Sequence, residues 1–443
     1  MNTPICDFVK AYQKSHPLRL HMPGHKGEGF LGVEGLDLTE IAGADVLYRP
    51  RGIIRESENN AAELFGTGRT VYSAEGSSLC IRAMLYLALL RAGERGIRPV
   101  LLAGRNAHQT LMTAAALLDF EIRWLYGDDV ISCPLDGLRV GQALDDMPAP
   151  PAAVYITSPD YLGHTADLAG IASACHARHV PLLVDNAHGA YLKFLPEDRH
   201  PITLGADLAC DSAHKTLPVL TGGAYLQISK NAPALFFDQA DRAMALFAST
   251  SPSYLILQSL DRCNASLAGE YPDRLAALAR QTAALKQSLA AHGYSLTGDE
   301  PCKITLAPKP FGYTGDELHA LLRRQGIECE FSDPDFLTLM PAPATGEAGM
   351  RRLEDALLSV PRRPPVSVLP PPLPRPEKAL SIRRALLAPS EDRAAADCLG
   401  RILCEAPVSC PPCVPIAVSG ERIDEDVLRC FRYYGVERCR VVK

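Results

Sequence analysis

Between residues 53 and 230 the chain alternates short apolar or β-branched runs with helix-length amphipathic segments. That pattern predicts βαβ units around a mainly parallel sheet. The runs that read as strands are 70–73, 100–103, 121–125, 153–157, 181–184, 208–211 and 224–228, and 77–90, 109–118 and 167–179 read as helices between them. In sheets of this kind the chemistry gathers in loops that leave the carboxyl ends of strands. Those loops are therefore where candidate residues are sought.

After about residue 261 the pattern changes. An Ala/Leu/Arg-rich stretch at 272–292 repeats apolar residues at helical spacing and reads as a bridging helix. A smaller α+β unit follows, with strands expected at 303–306 and 327–331. The helix between them starts near Thr314, and Glu317 three residues on completes a capping-box signature. Residues 361–376 are too proline-rich for a helix or an inner strand and read as a stiff, extended linker to a short C-terminal module. The chain shows no internal repeat.

Composition narrows the function classes. With 443 residues, 47% of them hydrophobic and 22% charged, the chain has ample material for a core and too little charge for disorder. The net charge of −6 carries no acidic or basic block, which disfavours a nucleic acid or an anionic membrane as partner and favours a small molecule. The first twenty residues hold Asp7, Lys10, Lys14 and Arg19 without an apolar run, and no uncharged apolar stretch reaches 18 residues. A secretory signal and a transmembrane span are thus not expected, and the location implied is cytoplasmic. Fourteen cysteines are too few for a disulfide scaffold, so reduced structural thiols are expected. Cys410-Pro-Pro-Cys413 has C-x-x-C spacing, but it lacks a redox context and a second pair for zinc. No metal is expected.

Four loops carry candidate chemistry, each with an ordinary reading beside it. Lys215, in Ser212-Ala213-His214-Lys215-Thr216, leaves a strand end among hydroxyl and imidazole groups, which suits a Schiff-base lysine; a solvated surface lysine is the ordinary alternative. Asp185 follows three apolar residues and precedes Ala187-His188-Gly189, at the sheet's carboxyl edge. There it can serve a pyridine nitrogen or simply act as a turn aspartate. Glu75-Gly76-Ser77-Ser78 between a strand and a helix offers an N-terminal anion site, or plain helix capping. His108, in Arg105-Asn106-Ala107-His108-Gln109, can lie over a cofactor ring or be a common loop residue.

The succession of phosphate loop, histidine, aspartate and lysine, each after its own strand, is similar to the aspartate-aminotransferase-like fold, fold type I of the pyridoxal-phosphate enzymes. More narrowly, the chain resembles the bacterial ornithine/lysine/arginine decarboxylase family in its short form. The resemblance rests on His21-Met-Pro-Gly-His-Lys-Gly27, Ala62-Glu-Leu-Phe-Gly66, Thr157-Ser-Pro159, Asp185-x-Ala187-His188-Gly189, Ser212-x-His214-Lys215-Thr-Leu-Pro218 and Thr250-Ser-Pro-Ser-Tyr254. It spans nearly the whole chain.

The resemblance implies an α/β large domain at 31–262 that binds pyridoxal 5'-phosphate, preceded by an N-terminal arm at 1–30. A small α+β domain at 263–360, the linker at 361–376 and a C-terminal module at 377–443 follow. It implies Lys215 as the lysine that holds the cofactor, Asp185 on the pyridine nitrogen and His108 on the ring. Ser77, Ser78, Ser212 and His214 would hold the phosphate, with Thr250 contributed by the partner subunit of a homodimer or larger homo-oligomer. Ala187 would line the other ring face, with His188 close by. The activity implied is decarboxylation of lysine, arginine or ornithine. Zinc at His21 and His25 is disfavoured by Pro23 and Gly24 between them.

Departures from the family pattern are Glu75 in place of Asn, Asn186 in place of Glu, Gln109 in place of Lys, and the cysteines flanking Pro411-Pro412. A negative charge at residue 75 is unfavourable beside a phosphate unless it points away or pairs with Arg69. The competing readings are another fold type I activity, an aminotransferase or an aldolase, and a degenerate homologue that has become a binding or regulatory protein.

Overall fold

The computed structural model of the protein describes residues 1–127, 133–405 and 414–443. Cys410 and Cys413 therefore lie outside the described residues. The chain divides into two compact units, one made of Met1–Arg98, Leu144–Ile156 and Leu168–Asp273, the other of Pro99–Ala143, Thr157–Asp167 and Arg274–Lys443.

The first seven strands are β1 (Arg69–Ser73), β2 (Val100–Gly104), β3 (Glu121–Leu125), β4 (Ala153–Thr157), β5 (Leu182–Asp185), β6 (Leu208–Asp211) and β7 (Ala224–Ile228). They match the seven expected strands to within a residue or so. Helices α1 (Pro4–Lys14), α2 (Ile53–Phe65), α3 (Ser77–Glu94) and α4 (Gln109–Leu118) are used below.

In the first unit the strand order is β1-β7-β6-β5-β4. Strands β5, β6 and β7 are buried along their whole length, which is why they read as unbroken apolar runs rather than alternating ones. β5 and β6 run parallel, with Asp185 opposite Cys210. β6 pairs antiparallel with β7, and β7 antiparallel with β1. Two reversals return β1 to the direction of β6, so the carboxyl ends of β1, β5 and β6 share one edge. α3 is apolar on nearly every side, with Leu79, Ile81, Met84, Leu85 and Leu87 buried, and it packs on β1, β6 and β7. Such a helix belongs in a core rather than at a surface. α1 packs on α2 and on the helix Tyr254–Leu267, where the Cys6 N–H donates to buried Asp261 at 2.9 Å.

The second unit contains β2 and β3, paired in parallel from Val100 opposite Glu121 to Gly104 opposite Leu125. It also holds β8 (Ser295–Thr297), β9 (Ile304–Ala307), β10 (Phe331–Ser332) and β11 (Leu337–Leu339), in the antiparallel order β10-β11-β9-β8. The expected strand at 327–331 is corrected here: only Phe331–Ser332 is extended and paired. The apolar residues at 327 and 331 satisfied a strand pattern, but the ladder partner Leu337–Leu339 reaches only the last of them. The capping box is formed as expected, with the Thr314 N–H donating to Glu317 Oε2 at 2.8 Å and the Glu317 N–H to Thr314 Oγ1 at 3.1 Å.

Residues 361–376 contain no helix or strand. The non-proline positions in this run retain N–H groups and use them: Arg363 donates to Phe311 O at 3.1 Å and Val366 to Lys309 O at 3.0 Å, while Lys309 Nζ donates to Val368 O at 2.7 Å. The run is thus laid along the segment 309–311 instead of standing off as a spacer. Beyond it, β12 (Ser390–Ala394), β13 (Leu403–Glu405) and β14 (Arg438–Val442) form an antiparallel sheet over a core that includes Ile416, Ile423, Val427 and Phe431. Within this unit Arg105, fully buried at the end of β2, makes a two-pronged ion pair with Glu421 at 2.8 Å on both prongs. Two parallel N–H···O bonds are the geometry in which a buried pair offsets its desolvation cost.

No helix among the described residues is long and apolar enough to cross a membrane. Among those residues no group of three or more His, Cys, Asp or Glu side chains is placed to hold a metal. His21 accepts a contact from the Tyr12 hydroxyl at 2.6 Å and His25 faces Asp37 at 3.3 Å.

Candidate active site

The loop after β1 turns on Gly76, which caps α3 with φ +74 and ψ 177. That backbone conformation favours glycine, and a Cβ there would meet nothing within 4 Å, so the approach to the helix end is open. The turn is tied down by the Gly76 N–H to Gly222 O (2.7 Å), the Glu75 N–H to Ser73 Oγ (3.1 Å) and the Ser73 hydroxyl to Gly76 O (3.0 Å). Ser77 and Ser78 are the first two residues of the helix, and the N-cap position itself is taken by Gly76. The first N–H groups of an α-helix have no intrahelical partner and sit at its positive end, a setting suited to an anion. The Ser212 hydroxyl donates to Ser77 Oγ at 2.6 Å, which brings the end of β6 to this same loop.

Glu75 is exposed, and its Oε1 accepts the Ser249 N–H at 2.8 Å. It does not pair with Arg69, whose guanidinium instead bonds Phe237 O at 2.6 Å and Asp241. Thr250, the residue after Ser249, is exposed. A single solvated charge beside the loop should act weakly. Glu75→Gln is expected to tighten binding of phosphate to the protein by about two- to threefold at low ionic strength, an effect that fades in high salt. Phosphate titration by calorimetry at two salt concentrations checks this.

Asp185 closes β5 with 1% of its surface exposed. Its Oδ2 accepts the Tyr155 hydroxyl at 3.0 Å, and its Oδ1 accepts the Ala187 N–H at 3.2 Å and the Cys210 thiol at 3.5 Å. Burial, together with the neighbouring carboxylate, pushes the Tyr155 phenol and the Cys210 thiol well above their ordinary values. Both therefore stay protonated donors, and with the Ala187 N–H three donors converge on the one carboxyl group. No cationic side chain pairs with Asp185 among the described residues. A buried carboxylate served only by neutral donors is costly, and a protonated ring nitrogen is the kind of partner that offsets the cost. The turn-aspartate reading is partly met by the Ala187 N–H, but it accounts for neither Tyr155 nor Cys210.

Lys215 stands on a single helical turn, Ala213–Thr216, rather than in the loop expected for it, and its side chain is exposed. Its Nζ lies 3.1 Å from Nε2 of buried His188. His214 donates Nδ1–H to Gly223 O at 3.0 Å, which fixes the orientation of its ring. Ala187 is half-buried between Asp185 and His188. The first unit thus brings Ser77, Ser78, Asp185, Ala187, His188, Ser212, His214 and Lys215 to the shared edge of β1, β5 and β6. His108 belongs to the second unit, where it caps α4: its Nδ1 accepts the Thr110 N–H at 3.2 Å and meets the Thr110 hydroxyl at 2.8 Å.

Sequence reasoning missed Tyr155, Cys210 and Asp211. Tyr155 and Cys210 lie inside predicted strands, where period-two alternation could have placed them at the sheet edge but not on Asp185.

The sequence profile described as "Orn/Lys/Arg decarboxylase, major domain" matches residues 3–292. The chain belongs to the ornithine/lysine/arginine decarboxylase family. An arginine decarboxylase of Halalkalibacterium halodurans is 32% identical, over 97% of this chain and 93% of that protein. One from Bacillus subtilis is 30% identical, over 96% and 92%. Among solved structures, the lysine decarboxylase of Francisella novicida superposes with a TM-score of 0.80 at 16% identity, over 100% of this chain and 81% of that one. The constitutive lysine decarboxylase of E. coli gives 0.78 at 17%. The fold is therefore that of the fold type I pyridoxal-phosphate enzymes, and the family is one of amino-acid decarboxylases. This places the protein among enzymes that remove CO₂ from a basic amino acid.

Proposed function

We propose that the protein decarboxylates a basic amino acid, arginine ahead of lysine and ornithine, using pyridoxal 5'-phosphate held by the residues at the carboxyl edge of β1, β5 and β6. The observation that carries this reading is the convergence on one edge of an amine (Lys215), a buried carboxylate with no cationic partner among the described residues (Asp185) and an open helix start joined to Ser212 by the hydroxyl contact at 2.6 Å. That donor set matches a phosphorylated pyridine aldehyde group by group. The preference for arginine rests on full-length relatives at about 30% identity that are arginine decarboxylases.

Ser77, Ser78, Ser212 and His214 would hold the phosphate, Asp185 the ring nitrogen and Ala187 one ring face, with His108 on the other. When bound, the cofactor supplies an electron sink for the pair left behind as the Cα–carboxylate bond breaks. The chain's own part is orientation and proton control. His188 Nε2, within hydrogen-bond reach of Lys215 Nζ, is placed to take the proton that the ammonium must lose before the amine can attack a carbonyl. Asp185, fixed by Tyr155, Cys210 and the Ala187 N–H, would hold a proton on the ring nitrogen without having to reorganise. Lys215 or His108 would return a proton to Cα.

The exposed Lys215 and Thr250, and the apolar side chains presented on the arm (Leu18, Leu20 and Phe30) and by Leu31 just after it, support a shared site in a homodimer. Sedimentation of the purified protein is expected to give a dimer or a multiple of one.

The deciding experiment is product analysis after separate incubation with arginine, lysine and ornithine. Release of CO₂ with agmatine as the fastest-formed amine is expected. Turnover that favours lysine or ornithine would overturn the arginine assignment alone. A protein that takes up no pyridoxal phosphate and decarboxylates none of the three would overturn the whole reading.

A further inference from the structure

The residue immediately before Ser212 is a second buried carboxylate, and the reaction as described does not use it. Asp211 has no exposed surface. Its Oδ1 accepts Asn186 Nδ2–H at 2.5 Å, and its Oδ2 accepts Gln227 Nε2–H at 2.9 Å. His200 Nε2 lies 3.2 and 3.1 Å from the two oxygens. The network fixes how these donors are oriented. His200 Nδ1 accepts the Ile202 N–H at 3.3 Å, which puts the ring proton on Nε2, facing Asp211. Gln227 Oε1 accepts the Thr70 hydroxyl at 2.6 Å, which turns its amide N–H₂ toward Asp211. A fully buried anion held by an imidazole and two amides is an expensive feature to keep in a core. Its location suggests what it does.

Successive strand residues point to opposite faces of a sheet. Asp185 and Cys210 are register partners and touch on one face. Asn186 and Asp211, the next residue of each segment, meet on the other. The backbone pairing continues to the same point, since the Asn186 N–H donates to Cys210 O at 3.0 Å. Beyond it the two segments separate, one running to His188 and the other through Ser212 to Lys215, and they meet again where Lys215 Nζ reaches His188 Nε2. The Asn186–Asp211 bond is therefore a rung at the root of both working loops. Asn186 Oδ1 has no partner among the described residues, so this rung is the side chain's single anchored contact.

We infer that Asp211 is a positioning residue for the reaction: acting through Asn186, it fixes the separation of the two segments that carry Asp185 and Lys215. The inference deepens the functional reading above and rests on it. Asp211 touches neither of the groups it places.

Asn186→Ala removes the rung and leaves Asp211 its bonds to His200 and Gln227, so it should fold. It is expected to lower kcat about tenfold with KM within twofold, because small displacements of reacting groups act on the bond-breaking step more than on substrate binding. Absorbance titration of cofactor-stripped protein should show weaker uptake of pyridoxal phosphate, while the melting temperature of the stripped protein stays near the wild type's. Asp211→Asn should show a similar or larger loss, and the exchange Asn186→Asp with Asp211→Asn should recover most of it by restoring an amide–carboxylate pair. Wild-type kcat and cofactor uptake in Asn186→Ala would overturn the inference, as would an exchange variant no better than Asp211→Asn. If Asp211→Asn does not fold, Asn186→Ala decides the matter alone. A wild type that takes up no cofactor overturns the functional reading and this inference with it; a working wild type beside an indistinguishable Asn186→Ala overturns only the inference.

Discussion

Lys215→Ala should abolish decarboxylation and the yellow colour of the cofactor-loaded protein together, with turnover falling by about four orders of magnitude or more. The expectation follows from where the amine sits. Lys215 stands on a four-residue helical turn directly after β6, and its Nζ is held 3.1 Å from His188 Nε2. A lysine reacts as a nucleophile only after losing a proton, and an imidazole nitrogen at that distance is a ready acceptor. Lys215→Arg keeps the charge and much of the length, but a guanidinium does not deprotonate in proteins, so the same loss is expected. The side chain is exposed, so truncation should move stability by no more than about 0.5 kcal/mol. Steady-state CO₂ release, the visible absorbance band and a melting curve on the same preparation separate these effects. Residual turnover above a few per cent in Lys215→Ala would remove that residue from the chemistry.

Why this lysine was legible in the sequence, and some of its neighbours were not, follows from the kind of signal each carries. The strands β5, β6 and β7 are buried throughout, so their apolar runs announced themselves; Asp185 was visible as the first polar residue after one such run, and Lys215 as the lysine that follows Ser212 and His214 just beyond another. The loop proposed to hold the phosphate stood out because Gly-Ser-Ser between a strand and a helix is a local pattern with a local cause. Tyr155 and Asp211 belong to another class. Tyr155 reaches Asp185 from a strand 30 residues earlier in the chain, and Asp211 collects its donors from positions 186, 200 and 227. Such contacts depend on strand order and register, which single-sequence periodicity does not encode. Glu75 shows the same limit from the other side: the sequence left open whether it points away or pairs with Arg69, and the structure excludes the pair, since the arginine is taken by Asp241 and the carboxylate by the backbone of Ser249. The strand misplaced at 327–331 failed because two apolar residues four apart fit a strand or an irregular approach to one equally well.

Asp185→Asn should lower kcat by about a hundredfold, equivalent to about 3 kcal/mol of barrier, while leaving the cofactor-stripped protein about as stable as the wild type. The two halves of this expectation come from the same geometry. In the folded chain the carboxylate is buried at 1% exposure and receives only neutral donors, the Tyr155 hydroxyl, the Cys210 thiol and the Ala187 N–H. Neutralising a buried charge that lacks a cationic partner removes a desolvation cost, and this opposes the loss of hydrogen-bond fit when an amide N–H₂ replaces one oxygen. The net change in folding stability should therefore stay within about 1 kcal/mol. With the cofactor bound the balance would be different, because an amide oxygen would not hold a proton on a pyridine nitrogen as a carboxylate would, and the cofactor would be a poorer electron sink. Asp185→Ala separates the contributions further: it strands the Tyr155 hydroxyl and the Ala187 N–H without an acceptor, which should cost about 1–3 kcal/mol of stability in addition to the rate. The measurements are kcat with saturating cofactor and denaturant unfolding of the stripped protein for both variants. A kcat for Asp185→Asn within threefold of the wild type would show that this carboxylate, for all its burial and its three donors, is not the group that serves the ring nitrogen.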